Sequence, residues 1–178
     1  RPSDMDEETG VIPFRLDQMS SKQPSCFELV FYVKNTKYWY QLELDEHQVF
    51  LEKLFYYKSI QPIMLFERVL ENNLSVIHFN NTNINADKIS NSAKESISEK
   101  CLKNTSFFVA RNQVNVSLPL IDTAKDWLRK NIMQVITPST SLTKYAQRKT
   151  SEDTEIVNHI LGFLKEADFN ISDISTDV

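Results

Sequence analysis

Glycine is nearly missing from this chain, since Gly10 and Gly162 are the only two among 178 residues. Neither has a glycine neighbour, and that excludes two large classes of nucleotide site. A Walker A loop needs glycines so that successive backbone N–H groups wrap the phosphates, together with a Lys and a Ser or Thr. A Rossmann turn needs three closely spaced glycines or their substitutes. A serine nucleophile elbow is excluded on the same ground, because no glycine flanks Ser25 or the other serines. Cysteine is equally scarce. Cys26 and Cys101 lie far apart and make no metal or redox spacing. They read as two buried free thiols, with a disulfide left open by the sequence. Histidine occurs three times, at His47, His78 and His159, without a Cys, Asp or Glu at a recognised metal spacing. These read as surface or structurally satisfied histidines. Long apolar runs are absent too: Phe27 to Val33 is too short and too alternating to span a bilayer. No signal peptide is visible. Neither sign of charge dominates, with 20 Lys and Arg against 24 Asp and Glu and a net charge of −4. The charges are interspersed, which gives no electrostatic ground for nucleic acid as the main partner.

What is present suits a soluble globular protein, at 41% hydrophobic and 25% charged residues. The length is that of one domain, or of a piece of a larger one. About two thirds of the unfolded surface is buried at this size. Because the chain begins with Arg1 rather than Met, the expectation is a processed chain or a piece of a longer one.

Periodicity divides the chain near residue 85 and predicts an α+β fold. Residues 1–10 are acidic and polar and read as a loose lead-in. Residues 11–80 read as an antiparallel β-subdomain, a meander of five or six strands. Phe27, Leu29, Phe31 and Val33 alternate with Glu28, Val30 and Tyr32; after the polar Asn35-Thr36-Lys37, Tyr38, Tyr40, Leu42 and Leu44 alternate again. Strands around Val49 to Tyr57, Ile63 to Arg68 and Ser75 to Phe79 follow. Residues 81–178 read as a helical segment with about three helices. Asn80 to Asn85 is a polar loop. Ile89, Ala93, Ile97 and Cys101 space a weak helix over Ala86 to Leu102. Phe107 to Ala110 reads as a short buried strand that Arg111, Asn112 and Gln113 leave together. Pro119 opens a second helix, with Ile121, Ala124, Leu128 and Ile132 on one face. Thr137 to Thr150 reads as a polar connector. A third helix starts near Ser151, with Glu152, Asp153 and Glu155 where the helix dipole favours negative charge.

Carboxylates are plentiful, but no pair stands on a pattern suited to acid–base work, and most read as solvated faces. Tyr38, Trp39, Tyr40, Phe55, Tyr56 and Tyr57 resemble a base-stacking platform, yet few Lys or Arg accompany them; core and cross-strand packing is the simpler reading. Asn-X-Ser/Thr triplets stand at Asn73, Asn80, Asn104, Asn115 and Asn170. In a secreted protein they would accept glycans. A chain this rich in Asn and Ser makes chance matches.

One family resemblance spans residues 25 to 175. It is carried by Cys26-Phe-Glu-Leu-Val-Phe-Tyr-Val-Lys-Asn, Lys37-Tyr-Trp-Tyr-Gln-Leu-Glu-Leu-Asp, Val49-Phe-Leu-Glu-Lys-Leu-Phe-Tyr-Tyr and Met64-Leu-Phe-Glu-Arg. These stretches resemble the β-meander of prokaryotic ABC-type ATP-binding proteins, relatives of the SMC and OLD ATPases and also called AAA ATPases. Phe107-Phe-Val-Ala-Arg-Asn-Gln113 is similar to the family's run ending in the Q-loop glutamine. Asp126 to Ile136 and Leu164 to Ile174 resemble its next two segments, in the family's order. The family's Walker A lies upstream of this segment, and its signature motif, Walker B and switch histidine lie downstream; the chain holds none of the four. The resemblance therefore implies ATP and magnesium as cofactors of a longer parent and none for this chain alone. It implies one cofactor-binding residue, Gln113, touching magnesium or the attacking water, and no catalytic residue. Its implied partners are the remainder of the ATPase domain and a second copy of the parent. It implies no membrane, and nucleic acid only through the parent. The implied setting is the bacterial cytoplasm. The rival, from a different class, is a non-enzymatic module whose meander presents a surface to a protein; a secreted glycoprotein is a third.

Overall fold

Period-two alternation between Ser25 and Phe79 folds into five antiparallel strands. They are β1 (Ser25–Val33), β2 (Thr36–Leu44), β3 (Val49–Tyr57), β4 (Pro62–Glu71) and β5 (Leu74–Phe79), in sheet order β1-β2-β3-β4-β5. Helices follow, so the α+β meander expected from the sequence is the fold. This computed structural model describes residues 4–14, 16–17, 19–80, 89–132 and 139–174. The turns explain how a glycine-poor chain makes tight hairpins. Asn72 and Asn73 take φ of 51° and 63°, the left-handed pair that a type I′ turn between β4 and β5 needs. Lys34 takes φ of 53° between β1 and β2. Between β2 and β3 the Asp45 carboxylate accepts the His47 and Gln48 N–H groups, both at 2.8 Å.

The helices are α1 (Asn91–Lys100), α2 (Phe107–Arg111), α3 (Pro119–Asn131), α4 (Thr143–Glu152) and α5 (Thr154–Glu166). The Ser90 hydroxyl caps α1 by accepting the Ala93 N–H at 3.2 Å. Pro119 stands in the first turn of α3, and Asp153 caps α5 by accepting from Glu155 and Ile156. Two short helices depart from expectation. Phe107 to Ala110 is the body of α2, not a strand; a four-residue apolar run has no period of its own. Thr143 to Glu152 is α4, not a connector. Its Lys, Ala, Gln and Arg favour helix, yet it lacks the apolar stripe that marks one. Among the described residues of 11–24 there is no strand, only a 3₁₀ turn at Ser20–Lys22. Residues 86–88 and 133–138 of the expected first helix, second helix end and connector lie outside the described residues.

One compact unit, Arg1–Met133, holds the sheet and α1 to α3; a second, Gln134–Val178, holds α4 and α5. In the first unit the sheet buries one face. Phe31, Tyr38, Leu54, Tyr56 and Phe66 meet Ile97 of α1, Phe107 and Ala110 of α2, and Ile121 and Ala124 of α3. Rings dominate the contact: Phe107 stacks on Phe66 at 3.7 Å, and Trp127 of α3 stacks on Phe31 at 4.4 Å. The aromatic group thus divides by strand phase. Tyr38, Tyr40 and Tyr56 face the helices, while Trp39 and Phe55 stack at 4.9 Å on the other face. Lys37 lies over Tyr57 on that outer face.

The lead-in is not loose where it is described. Buried Asn104, 2% exposed, donates its amide to the carbonyls of Asp4 at 2.6 Å and Glu7 at 2.8 Å. An asparagine so used is closed to a glycan in this fold, which removes one of the five triplets. The thiols are both free, but only Cys101 is buried; Cys26 is exposed.

Candidate functional site

Gln113 lies in the short segment joining α2 to α3, and its side chain is exposed. The expectation that Arg111 would leave the core with it fails. Arg111 turns inward and is buried. Its guanidinium donates from Nε and one Nη to both oxygens of Asp122 on α3, at 2.9 and 2.7 Å. It also donates to the backbone carbonyls of Val114, at 3.1 Å, and Val116. The Leu118 N–H adds a bond to Asp122 at 3.1 Å. Burial disfavours the Asp122 charge, but the Arg111 and Leu118 hydrogen bonds and the Arg111 and Lys125 charges outweigh it and hold the carboxyl below its ordinary range. This fork, from a fixed planar donor, clamps residues 114 to 118 from inside. Gln113 and Asn112 are left on the outer rim of a clamped loop.

Beside that rim is an open cleft of about 670 Å³ between α2 and α3. Phe108, Val109 and Leu128 supply apolar lining, and Asn112, Lys125 and Arg129 supply polar groups. Lys125 donates to the Asn112 side-chain oxygen at 3.1 Å. Among the described residues no group of His, Cys, Asp and Glu is placed to hold a metal ion. The three histidines are exposed.

A second constellation is the one the sequence reading missed. Glu52 on β3 and Arg68 on β4 face each other across the ladder, and both are 0% exposed. One Glu52 oxygen accepts the Tyr40 hydroxyl at 2.9 Å, and the other accepts the Phe107 N–H at 2.6 Å. Arg68 donates to the Val49 carbonyl, the Ser75 hydroxyl at 2.8 Å, and the carbonyls of Lys103 at 2.9 Å and Leu102 at 3.3 Å. Between them the two side chains hold residues 102 to 107, the segment that feeds α2, against the sheet. Burial pushes the Glu52 carboxyl up to about 7, against the pull of the Phe107 and Tyr40 hydrogen bonds and the Arg68 charge. Burial first, and then the charge of Glu52, holds the Tyr40 hydroxyl well above its ordinary range. Glu52 is thus an exception to the reading of most carboxylates as solvated faces. A signal existed: Glu52 shares the phase of Leu54 and Tyr56, and Arg68 that of Phe66.

No protein-family model matches the sequence, and no curated protein or solved structure matches it either. Among the described residues no helix is long and apolar enough to cross a membrane.

Proposed function

We propose that this chain is the β-subdomain and Q-loop part of an ABC-type ATPase, working in the bacterial cytoplasm as part of a longer, dimeric protein. The observation that carries the reading is the exposed Gln113 between α2 and α3, on a loop clamped by Arg111 and Asp122. A glutamine so placed is free to meet a magnesium-bound nucleotide supplied with its phosphate loop from elsewhere in the parent. It is also tied to α3, so that ligand contact and helix movement are coupled. The ordered resemblance over residues 25 to 175 is the second support.

Phosphate release with magnesium and ATP tests this, first on the 178-residue chain and then on the whole protein encoded by its reading frame. The chain alone is expected to stay at background, because it has neither a glycine-rich anion loop nor a Walker B pair. Turnover that survives purification and disappears with a point change in this chain would refute the reading. In the whole protein, Gln113→Ala is expected to slow turnover at least about tenfold while ATP affinity changes much less. A native rate in that variant would remove Gln113 from the site.

The same substitution in the isolated chain is expected to move stability by no more than about 0.5 kcal/mol, because the amide is exposed. Urea denaturation checks it; a loss of several times that size would mean Gln113 is a structural residue.

The second reading, a non-enzymatic module that docks a protein, is favoured by the outer sheet face. There Val30 and Tyr32 are exposed beside the Trp39–Phe55 stack. A whole protein without ATP turnover, and with a partner displaced by Tyr32→Glu, would favour it.

A further inference from the structure

We infer that Glu52 is a proton-operated latch on α2, holding the helix closed on the sheet when protonated and favouring its release when ionised. The inference is independent of the nucleotide reading, since it concerns only the first unit's own hydrogen bonds.

The geometry comes first. Glu52 reaches from β3 to the first amide of α2, and the 2.6 Å bond to the Phe107 N–H is the direct tie between that helix end and the sheet. Both carboxyl oxygens are occupied and no water reaches them at 0% exposure. The groups facing the carboxyl are Tyr40 from β2, Arg68 from β4 and Cys101 just beyond α1. From α2 comes the Phe107 N–H, its one ionisable side chain, Arg111, being engaged with Asp122. Arg68 is the only cation in the set; its Nη groups are directed at three carbonyls and the Ser75 hydroxyl, its buried Nε has no hydrogen-bond partner, and none of its donors bonds Glu52. The negative charge is therefore under-compensated where it sits.

Protonation resolves this without moving a heavy atom. The Tyr40 oxygen both donates and accepts, so its bond to Glu52 reverses when the acid carries the proton. The other oxygen still accepts the Phe107 N–H. Ionisation has a different outlet. If residues 102 to 107 lift, water reaches the carboxylate and the burial penalty vanishes.

The sign follows from linkage. Closed, the carboxyl titrates at about 7; opened to water it returns to its ordinary 4.5. The closed form binds the proton more tightly, so its advantage is complete below pH 4.5 and lost as pH rises through 7. Across that window the opening equilibrium of α2 is expected to increase on the order of 10²-fold, and to level off above it.

Native-state hydrogen exchange on the 178-residue chain, corrected for the intrinsic rate at each pH, reads this directly. The reporters are the Phe107, Ala110, Asn112 and Gln113 amides, which bond to Glu52 and within the α2 turn. Their protection is expected to fall from pH 4.5 to 7 while the Leu54 and Tyr56 amides of β3 hold theirs. In Glu52→Gln, a neutral side chain of the same shape, the slope is expected to vanish. Tyr40→Phe keeps the acid but removes a hydrogen bond that lowers its pKa, so the fall is expected to end at higher pH. A pH-independent wild type, a slope that persists in Glu52→Gln, an unmoved end point in Tyr40→Phe, or strand amides that lose protection in step with α2 would each overturn the latch.

Discussion

Arg68→Ala is expected to destabilise the first unit by about 3–5 kcal/mol, the range for removing one partner from a buried charged cluster. The size comes from what is left behind rather than from any one bond. The carbonyls of Val49, Leu102 and Lys103 lose a charged donor together, and the bond to Val49 is fully buried. A buried acceptor left unsatisfied costs about 1–3 kcal/mol by itself. Glu52 also loses the one cation beside it, so its carboxyl is expected to titrate above 7 in the variant. Arg68→Met separates the terms. It refills the volume but does not replace the Arg68 bond to the Val49 carbonyl, while Leu102 keeps donors from Ser75 and Thr105 and Lys103 keeps the Val49 N–H, so it should recover only the cavity part of the loss. Arg68→Lys brings charge without the fork and should fall between the two. Urea denaturation followed through the emission of Trp39 and Trp127 measures all three. A loss below about 1 kcal/mol for Arg68→Ala would mean that the cluster is ornamental and that residues 102 to 107 are held by packing alone.

The same cluster shows where the sequence was legible and where it was not. Strands were legible because a half-covered sheet must alternate, and Phe27 to Val33 and Tyr38 to Leu44 do so in plain view. Even there the phase carried one surprise: Phe27 stays about half exposed although Leu29 and Phe31 enter the core. α3 was legible because Pro119 marks its start and Ile121, Ala124 and Leu128 keep the 3.6 period. α2 was not, since five residues contain barely one turn. Its helicity is set by tertiary context: Glu52 on its first amide and Phe66 beneath it. Nothing within Phe107 to Arg111 records those partners.

Long-range polar pairing was the least legible layer. Gln113 was found exposed where a loop amide was expected, because a turn before a proline-started helix is a local pattern. Arg111 was misplaced because its partner, Asp122, lies eleven residues on in another helix. Glu52 and Arg68 face each other only after β3 and β4 adopt their register, with its irregularity between Leu54 and Phe55. A charged residue at an inward phase is the one trace such a pair leaves in a sequence. It gives the position and not the partner.

Phe107→Ala is expected to cost about 3–5 kcal/mol, the range for deleting a fully buried aromatic ring. The ring stacks on Phe66 at 3.7 Å and meets Phe79 edge-on at 5.7 Å, so its loss opens a cavity under β4 and β5. Relaxation is restricted there. The backbone of residue 107 is held by Glu52, and the residues just before it by Arg68, so α2 cannot slide inward to fill the space. Phe108 next door supplies the control. It is only half-buried, at the margin of the α2–α3 cleft, and Phe108→Ala should cost clearly less. Because the two substitutions remove the same atoms one residue apart, the difference between them isolates burial from chemistry. Phe107→Leu should recover part of the loss by refilling the cavity with an aliphatic group. The comparison also bears on the loop beyond. Gln113 owes its position to α2, so hydrogen exchange at residues 110 to 113 should accelerate in Phe107→Ala and remain near native in Phe108→Ala. Equal costs for the two alanine variants would contradict this account, because α2 would then be anchored by its polar ties and not by the ring beneath them.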